Sequence, residues 1–341
     1  MTKKNTIKHN SIYNRIREII ESTRNKIVRT VNYEMVQAYW LIGREIVEEE
    51  QKGKERAVYG SGLLKTIAEK LTAEYGSGFD ESNLRNIRQF YMSYPIRDSL
   101  RHELSWTHYR ILMRIENPDA RSFYEIECVE NHWSVRELER QKGSLLYERL
   151  ALSKDKEGLK HLSTKGQKIT KYEDMIKDPY VLEFLGLPES SKLYENKLEQ
   201  ALIDNLSKFL LELGKGFTFV ARQKRITLDG DHFFIDLVFY NTILKCYVLI
   251  DLKIGKLTHQ DLGQMQMYVN YYDRELKQDD DNPTVGLILC EDKKESVVHY
   301  TLSKENKQIF ASRYKLYLPT KKELIEEIKK ERLFIEQKIA T

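Results

Sequence analysis

The chain has 341 residues, long enough for two domains, and its 41% hydrophobic and 32% charged residues exclude a disordered chain. A net charge of +4 is compatible with a nucleic-acid partner but too small to argue for one. Cys128, Cys246 and Cys290 stand far apart without CxxC spacing, which excludes a disulfide framework or a zinc pattern and fits reduced core thiols in a cytoplasmic protein; no apolar h-region follows the basic start, and no apolar run is long enough to span a bilayer.

Residues 10 to about 150 follow a helical period. "SIYNRIREIIESTRNKIV" sets Ile12, Ile16, Ile19 or Ile20, and Ile27 on one stripe, and "YEMVQAYWLIGREIVEEEQ" continues it with Val36, Tyr39, Trp40 and Gly43. Next comes helix, Gly-containing turn and helix, ending at Pro95. The second of these helices, "DESNLRNIRQFYMSYP", turns Leu84, Ile87 and Tyr91 one way and Asn83, Arg85, Asn86 and Gln89 the other. A DNA recognition helix presents such groups, with Arg85 and Arg88 its phosphate or base contacts, and an ordinary bundle helix gives the same pattern. Ser134 and Glu137 form a capping box, and Trp40, Trp106 and Trp133 are expected in the core or at an interface.

Residues 151–172 are polar, Lys-rich and aperiodic, and read as a linker or exposed loop. Beyond them the pattern changes to an amphipathic helix over 193–213, the strand-like "FTFVARQKRITL", a turn at Asp229-Gly230, and two apolar strands within "FFIDLVFYNTILKCYVLIDLKIGKL". A helix capped by Thr258, the strand "TVGLILC", the strand "IFASRYKLYLP" and a charged tail helix from "KKELIEEIKKERLFIEQ" complete the chain.

The two apolar strands carry Asp236, Asp251 and Lys253, and an unpaired buried carboxylate costs several kcal/mol or more. Alternate strand residues share a face, so Asp251 and Lys253 face one way while Val248, Ile250 and Leu252 face the other. Paired as neighbours, the strands bring both carboxylates to one end of the sheet. Two anions beside one cation make a hard-metal site of the kind magnesium occupies, with manganese as a substitute. The alternative is an Asp capping each strand end, with Lys253 snorkelling to water.

Asp236 followed on the next strand by "Asp251-Leu252-Lys253" resembles the core of the PD-(D/E)xK nuclease superfamily, and Gln264 and Tyr268 match the QxxxY element of some members. Ile235 stands where the family name has proline. "FFIDLVFYN", "VLIDLKIGK", "DLGQMQMYVNYYDRE" and "NPTVGLILC", with the N-terminal "LSWTHYRILM" and "RSFYEIECVENHWSVRELERQ", are similar to YhcG-type bacterial proteins. The resemblance implies a mostly α-helical N-terminal domain over 10–155, for DNA or partner binding. It is followed by an α/β nuclease domain over 175–338, a restriction-endonuclease-like central mixed sheet flanked by helices. An acid from the preceding helix completes such sites; Glu199 is preferred to Glu195 because Leu202 lets the helix pack while Glu199 faces the strand ends.

The implied function is metal-dependent phosphodiester cleavage, on DNA rather than RNA, with the ion on Asp236, Asp251 and Glu199 and with Lys253 orienting the water. Gln264 and Tyr268, four apart on one helix face, hold substrate or fix Lys253. Arg222 and Gln223 contact phosphate or line a solvated strand edge. The rival is a non-catalytic DNA-binding or assembly protein that keeps the nuclease fold, and either reading leaves room for a homo-oligomer. No GxxxxGK[ST], HExxH or GxSxG motif is present, and lone histidines such as His232 and His259 read as structural.

Overall fold

The computed structural model describes residues 3–52, 59–152, 156–187, 195–303, 305–320 and 322–323. The expected tail helix from residue 321 lies almost entirely outside the described residues. The chain divides into two compact units, Met1–Arg140 and Gln141–Thr341. No helix among the described residues is long and apolar enough to cross a membrane.

The first unit contains helices α1 (Lys3–Lys52), α2 (Tyr59–Tyr75), α3 (Glu81–Ser93), α4 (Trp106–Leu112), α5 (Pro118–Glu130) and the first part of α6 (Val135–Gly143), with no strand among its described residues. Local chemistry sets their ends. The Asp80 side chain accepts the Asn83 N–H to start α3, and Tyr94 leaves the helix immediately before Pro95, as a pre-proline residue must. The Ser134–Glu137 box closes with both bonds, 2.6 and 3.3 Å. Ile46, Leu64, Leu84 and Ile87 join α1, α2 and α3 in one core, with Trp106 packed against it, and Trp40 and Trp133 are buried. Ile16, Ile19, Ile20 and Ile27 form the expected stripe on α1, but all four are exposed.

In the second unit the expected linker is a packed segment. Helices α7 (Leu146–Leu152) and α8 (Lys156–Lys165) occupy its first part, Leu162 is buried, and strand β1 (Tyr180–Val181) follows. The expected helix over 193–213 is two helices, α9 (Glu195–Asp204) and α10 (Leu206–Leu213), broken at Asn205. Then come β2 (Phe217–Leu228), β3 (Asp231–Asn241), β4 (Cys246–Lys256), α11 (His259–Tyr271), β5 (Val285–Asp292), α12 (Glu295–Thr301) and β6 (Ile309–Lys315). Asp229 and Gly230 both have positive φ, 50° and 92°, which is the backbone of a tight two-residue hairpin turn. The turn from β3 to β4 is built on buried Asn241, whose Oδ1 accepts the N–H groups of Ile243 and Leu244.

The sheet order is β1-β6-β5-β4-β3-β2. The β2–β3–β4 pairs are antiparallel and the β4–β5, β5–β6 and β6–β1 pairs parallel, so the sheet is mixed. Helices α9 and α10 cover one face through Leu198, Leu202, Phe209 and Leu213 over Leu237, Val248, Ile250 and Leu252. Helix α11 covers the other through Leu262, Met265, Tyr268 and Val269 over Val238, Leu249 and Ile288. It lies close because Gly286 is bare: a Cβ there would stand 2.5 Å from Met265. The buried pair Arg149–Glu212, 2.5 Å apart, joins α7 to α10, and Glu212 Oε1 also accepts the Val181 N–H of β1.

Candidate active site

The site forms where β3 and β4 part. Their antiparallel ladder ends at Leu237 opposite Ile250, so Asp236 and Asp251 are the next residues on the two strands. Beyond that point the β4 N–H groups facing β3 need other acceptors, and acidic side chains supply them. Asp236 Oδ2 accepts from Leu252 N at 2.8 Å, and Glu195 Oε1 from Ile254 N at 3.4 Å. Asp236 is thus held by the backbone of the strand that carries Asp251.

Asp251 is 2% exposed, and its Oδ2 receives no aligned hydrogen bond. Lys253 Nζ lies 3.0 Å from that oxygen as an ion-pair partner, and 3.8 Å from Glu195 Oε2 on its other side. Burial first, and the Asp236 carboxylate second, push the Asp251 carboxyl up to about 7 against the pull of Lys253. Burial opposes the charge on Lys253, but Asp251 beside it more than offsets this and raises its pKa. The two acids and the lysine form one electrostatic unit, with more negative charge than a buried site holds comfortably.

The remaining expected residues divide. Glu199 of α9 is 7% exposed, and its pKa is raised by burial. It reaches the strand ends through a third side chain: Gln223 Nε2 of β2 donates to Glu199 Oε2 at 2.6 Å and to Asp236 Oδ1 at 3.0 Å. Among the described residues, no three or more His, Cys, Asp or Glu side chains are gathered to hold a metal ion. Gln223 thus bridges Glu199 and Asp236. Arg222 donates to Gln200 at 3.0 Å and lies 3.9 Å from Glu199, with about half its side chain exposed. Tyr268 is fully buried; it donates to the Phe234 carbonyl at 3.0 Å and accepts from Gln264. These two latch α11 to β3 two residues before Asp236.

Arg85 and Arg88 lie on α3 in the first unit. Arg85 pairs with Glu81 one turn earlier, and Arg88 with Glu50 of α1 at 2.6 Å. Asn83 donates to the Gly78 carbonyl and accepts from Trp106, and Gln89 donates to Ser93. Much of the polar face of α3 is engaged within its own bundle.

Sequence reasoning gave no role to the backbone N–H of Leu252, and its alternatives for Gln223 did not include a link between acids. No motif marks the first. The second had one faint signal, a polar residue across the β2–β3 hairpin from Asp236, legible only once the register was known.

Residues 173–330 match the YhcG PDDEXK nuclease domain, and residues 15–149 the DUF1016 N-terminal domain. "Putative nuclease YhcG" of Escherichia coli (strain K12) is 36% identical over 364 residues, covering 97% of this chain and 96% of that protein. Among solved structures, a repair endonuclease from Pyrococcus abyssi is 20% identical over 39% of this chain and 50% of its own, with a TM-score of 0.27. An EndoMS–dsDNA complex is 17% identical over 39% of this chain and 49% of its own, with a TM-score of 0.28. Matched over nearly its whole length, the chain belongs to the YhcG family, in which a helical N-terminal region joins a PDDEXK nuclease domain of restriction-endonuclease-like fold.

Proposed function

We propose that this protein hydrolyses phosphodiester bonds in DNA, in preference to RNA, with a divalent cation, magnesium or manganese, at the strand ends of β3 and β4. One observation carries the reading. Two carboxylates, one of them pushed up to about 7, meet a lysine where the ladder opens, and the buried Oδ2 of Asp251 has the Lys253 ammonium, 3.0 Å away, as its ion-pair partner. Hard oxygen donors of this kind suit a hard cation that keeps several waters, so the donor set fits.

Asp236 and Asp251 would hold the cation. When bound it supplies Lewis-acid polarisation of the phosphate and a water of lowered pKa. The chain's own residues do the rest. Lys253, held by Asp251 and Glu195, places a positive charge where the pentavalent phosphate gathers negative charge, and it orients the attacking water. Asp236 keeps its angle through the Leu252 N–H, and the Gln264–Tyr268 latch fixes the β3 backbone from the α11 side, the face Asp236 shares with Val238. Arg222, half exposed beside the acids, is placed to meet the incoming phosphate backbone.

The division into a helical N-terminal domain and a nuclease domain belongs to the same proposal, with the first domain binding a nucleic acid or protein partner and the boundary falling before α7, which packs with the second unit. The test is a single incubation with magnesium of the full chain against linear, nicked, single-stranded and branched DNA and a matched RNA. Cleavage of one or more DNA forms over RNA is expected. Cleavage of RNA alone overturns the substrate assignment, and cleavage of nothing overturns the activity.

A further inference from the structure

We propose that Gln223 is a positioning residue that clamps Glu199 to Asp236, setting the angle of the Asp236 carboxylate and keeping Glu199 one amide away from the cation-binding pair. The inference rests on the cation-dependent reading above.

The backbone supplies the first observation. Gln223 has φ 45°, the left-handed region, in the middle of β2. Non-glycine residues rarely adopt it, and a strand gains no pairing from it. The ladder continues on both sides, with Arg222 opposite Leu237 and Lys224 opposite Ile235, and the one separate register shift in β2 lies between Phe219 and Ala221, so the left-handed residue is the one that faces Asp236. Such strain persists where the surrounding contacts over-determine it.

The side chain shows what those contacts are. One amide nitrogen carries two hydrogens, and here each has a carboxylate: Glu199 Oε2 at 2.6 Å and Asp236 Oδ1 at 3.0 Å. Flipped, the amide would point its oxygen at two acids, so the orientation is set by charge. The other Asp236 oxygen is taken by the Leu252 N–H. Both oxygens of Asp236 are therefore fixed, one by β4 and one through Gln223 by α9. Among the described residues Glu199 has only Arg222, 3.9 Å away, as a charge partner, so without Gln223 its buried carboxylate loses its closest hydrogen bond.

Gln223→Leu keeps the size and removes the donor. Gln223→Asn keeps the amide and tolerates left-handed backbone more readily, but is one methylene too short to span both acids. Should the Leu variant fail to fold, the Asn variant carries the same test. The first readout needs no cation. In chelator, Gln223→Leu should melt several degrees below wild type, and this loss should shrink by at least half when Glu199→Gln is also present, because a neutral amide in place of the carboxylate leaves no buried charge unpaired. The second is a calcium titration of the DNA-free protein, where Gln223→Leu should weaken binding about tenfold and add little in the Glu199→Gln background.

Equal losses in both backgrounds would overturn the clamp. So would unchanged calcium affinity with a raised KM for DNA, which would make Gln223 a phosphate contact. If wild type binds no calcium while the coupling in chelator holds, the clamp stands and the cation-dependent reading is what falls.

Discussion

Asp251 is buried against a second carboxylate, and this has a sign that can be measured. Unfolded, it ionises near its ordinary value of 3.8; folded, burial and Asp236 keep the proton on up to about 7. Between those values the folded chain binds a proton that the unfolded chain has released, so this group makes stability fall as pH rises. In chelator, the wild-type melting temperature should therefore decline between pH 5 and 8. Asp251→Asn should flatten the decline and melt several degrees higher at pH 8, since its amide can donate to Asp236 in place of the proton. A wild-type profile that rises over this range, with no response to the substitution, would leave Asp251 an ordinary structural acid. The placement of Asp251 and Lys253 was legible because strand parity alone puts them on one face. The bridging place of Gln223 was not, because it depends on one residue leaving the strand conformation.

At the scale of elements, the hairpins, the central strands and α11 were legible because each has a local cause: Asp229-Gly230 for the turn, alternation or unbroken apolar runs for strands, Thr258 and Asp261 for the cap. Other features have long-range causes. Strand β1 is two residues long and exists through its pairing with β6, and just before it the Gln167 carbonyl accepts from Lys215 and Asp178 from Arg313, partners distant in sequence. Arg149 and Glu212 show this most clearly, as two charged residues that composition assigns to the surface and the fold buries completely. Arg149 also donates to the carbonyls of Ser144 and Pro179, so the pair fixes α7, α10 and the entry to β1 together. Glu212→Ala leaves a guanidinium buried without its counter-charge and should cost about 3–5 kcal/mol in urea unfolding. Replacing both residues by apolar ones of similar volume should recover only part of that loss, because the Val181 N–H and the Ser144 and Pro179 carbonyls would lose their buried partners. A loss below about 1 kcal/mol for Glu212→Ala would mean that water reaches Arg149.

At the scale of the whole molecule, the change from helical to strand period along the chain was legible. The role of the helical part was not, since recognition and bundle helices share one pattern. The internal bonds of Asn83, Arg88 and Gln89 favour the bundle. Arg85→Ala with Arg88→Ala should then leave the salt dependence of DNA binding unchanged while lowering stability through the lost Arg88–Glu50 pair. A slope shallower by about two phosphate contacts would restore the recognition-helix reading. Hydrolysis at the strand ends of β3 and β4 is tested by cleavage of supercoiled plasmid by wild type, Asp251→Ala and Lys253→Ala, each with magnesium, with calcium and with chelator, alongside DNA binding in calcium. Cleavage is expected from wild type with magnesium alone, falling at least a hundredfold in both variants while binding stays within a few-fold. Turnover by either variant at the wild-type rate, or by wild type in chelator, would rule out cation-dependent hydrolysis at Asp251 and Lys253.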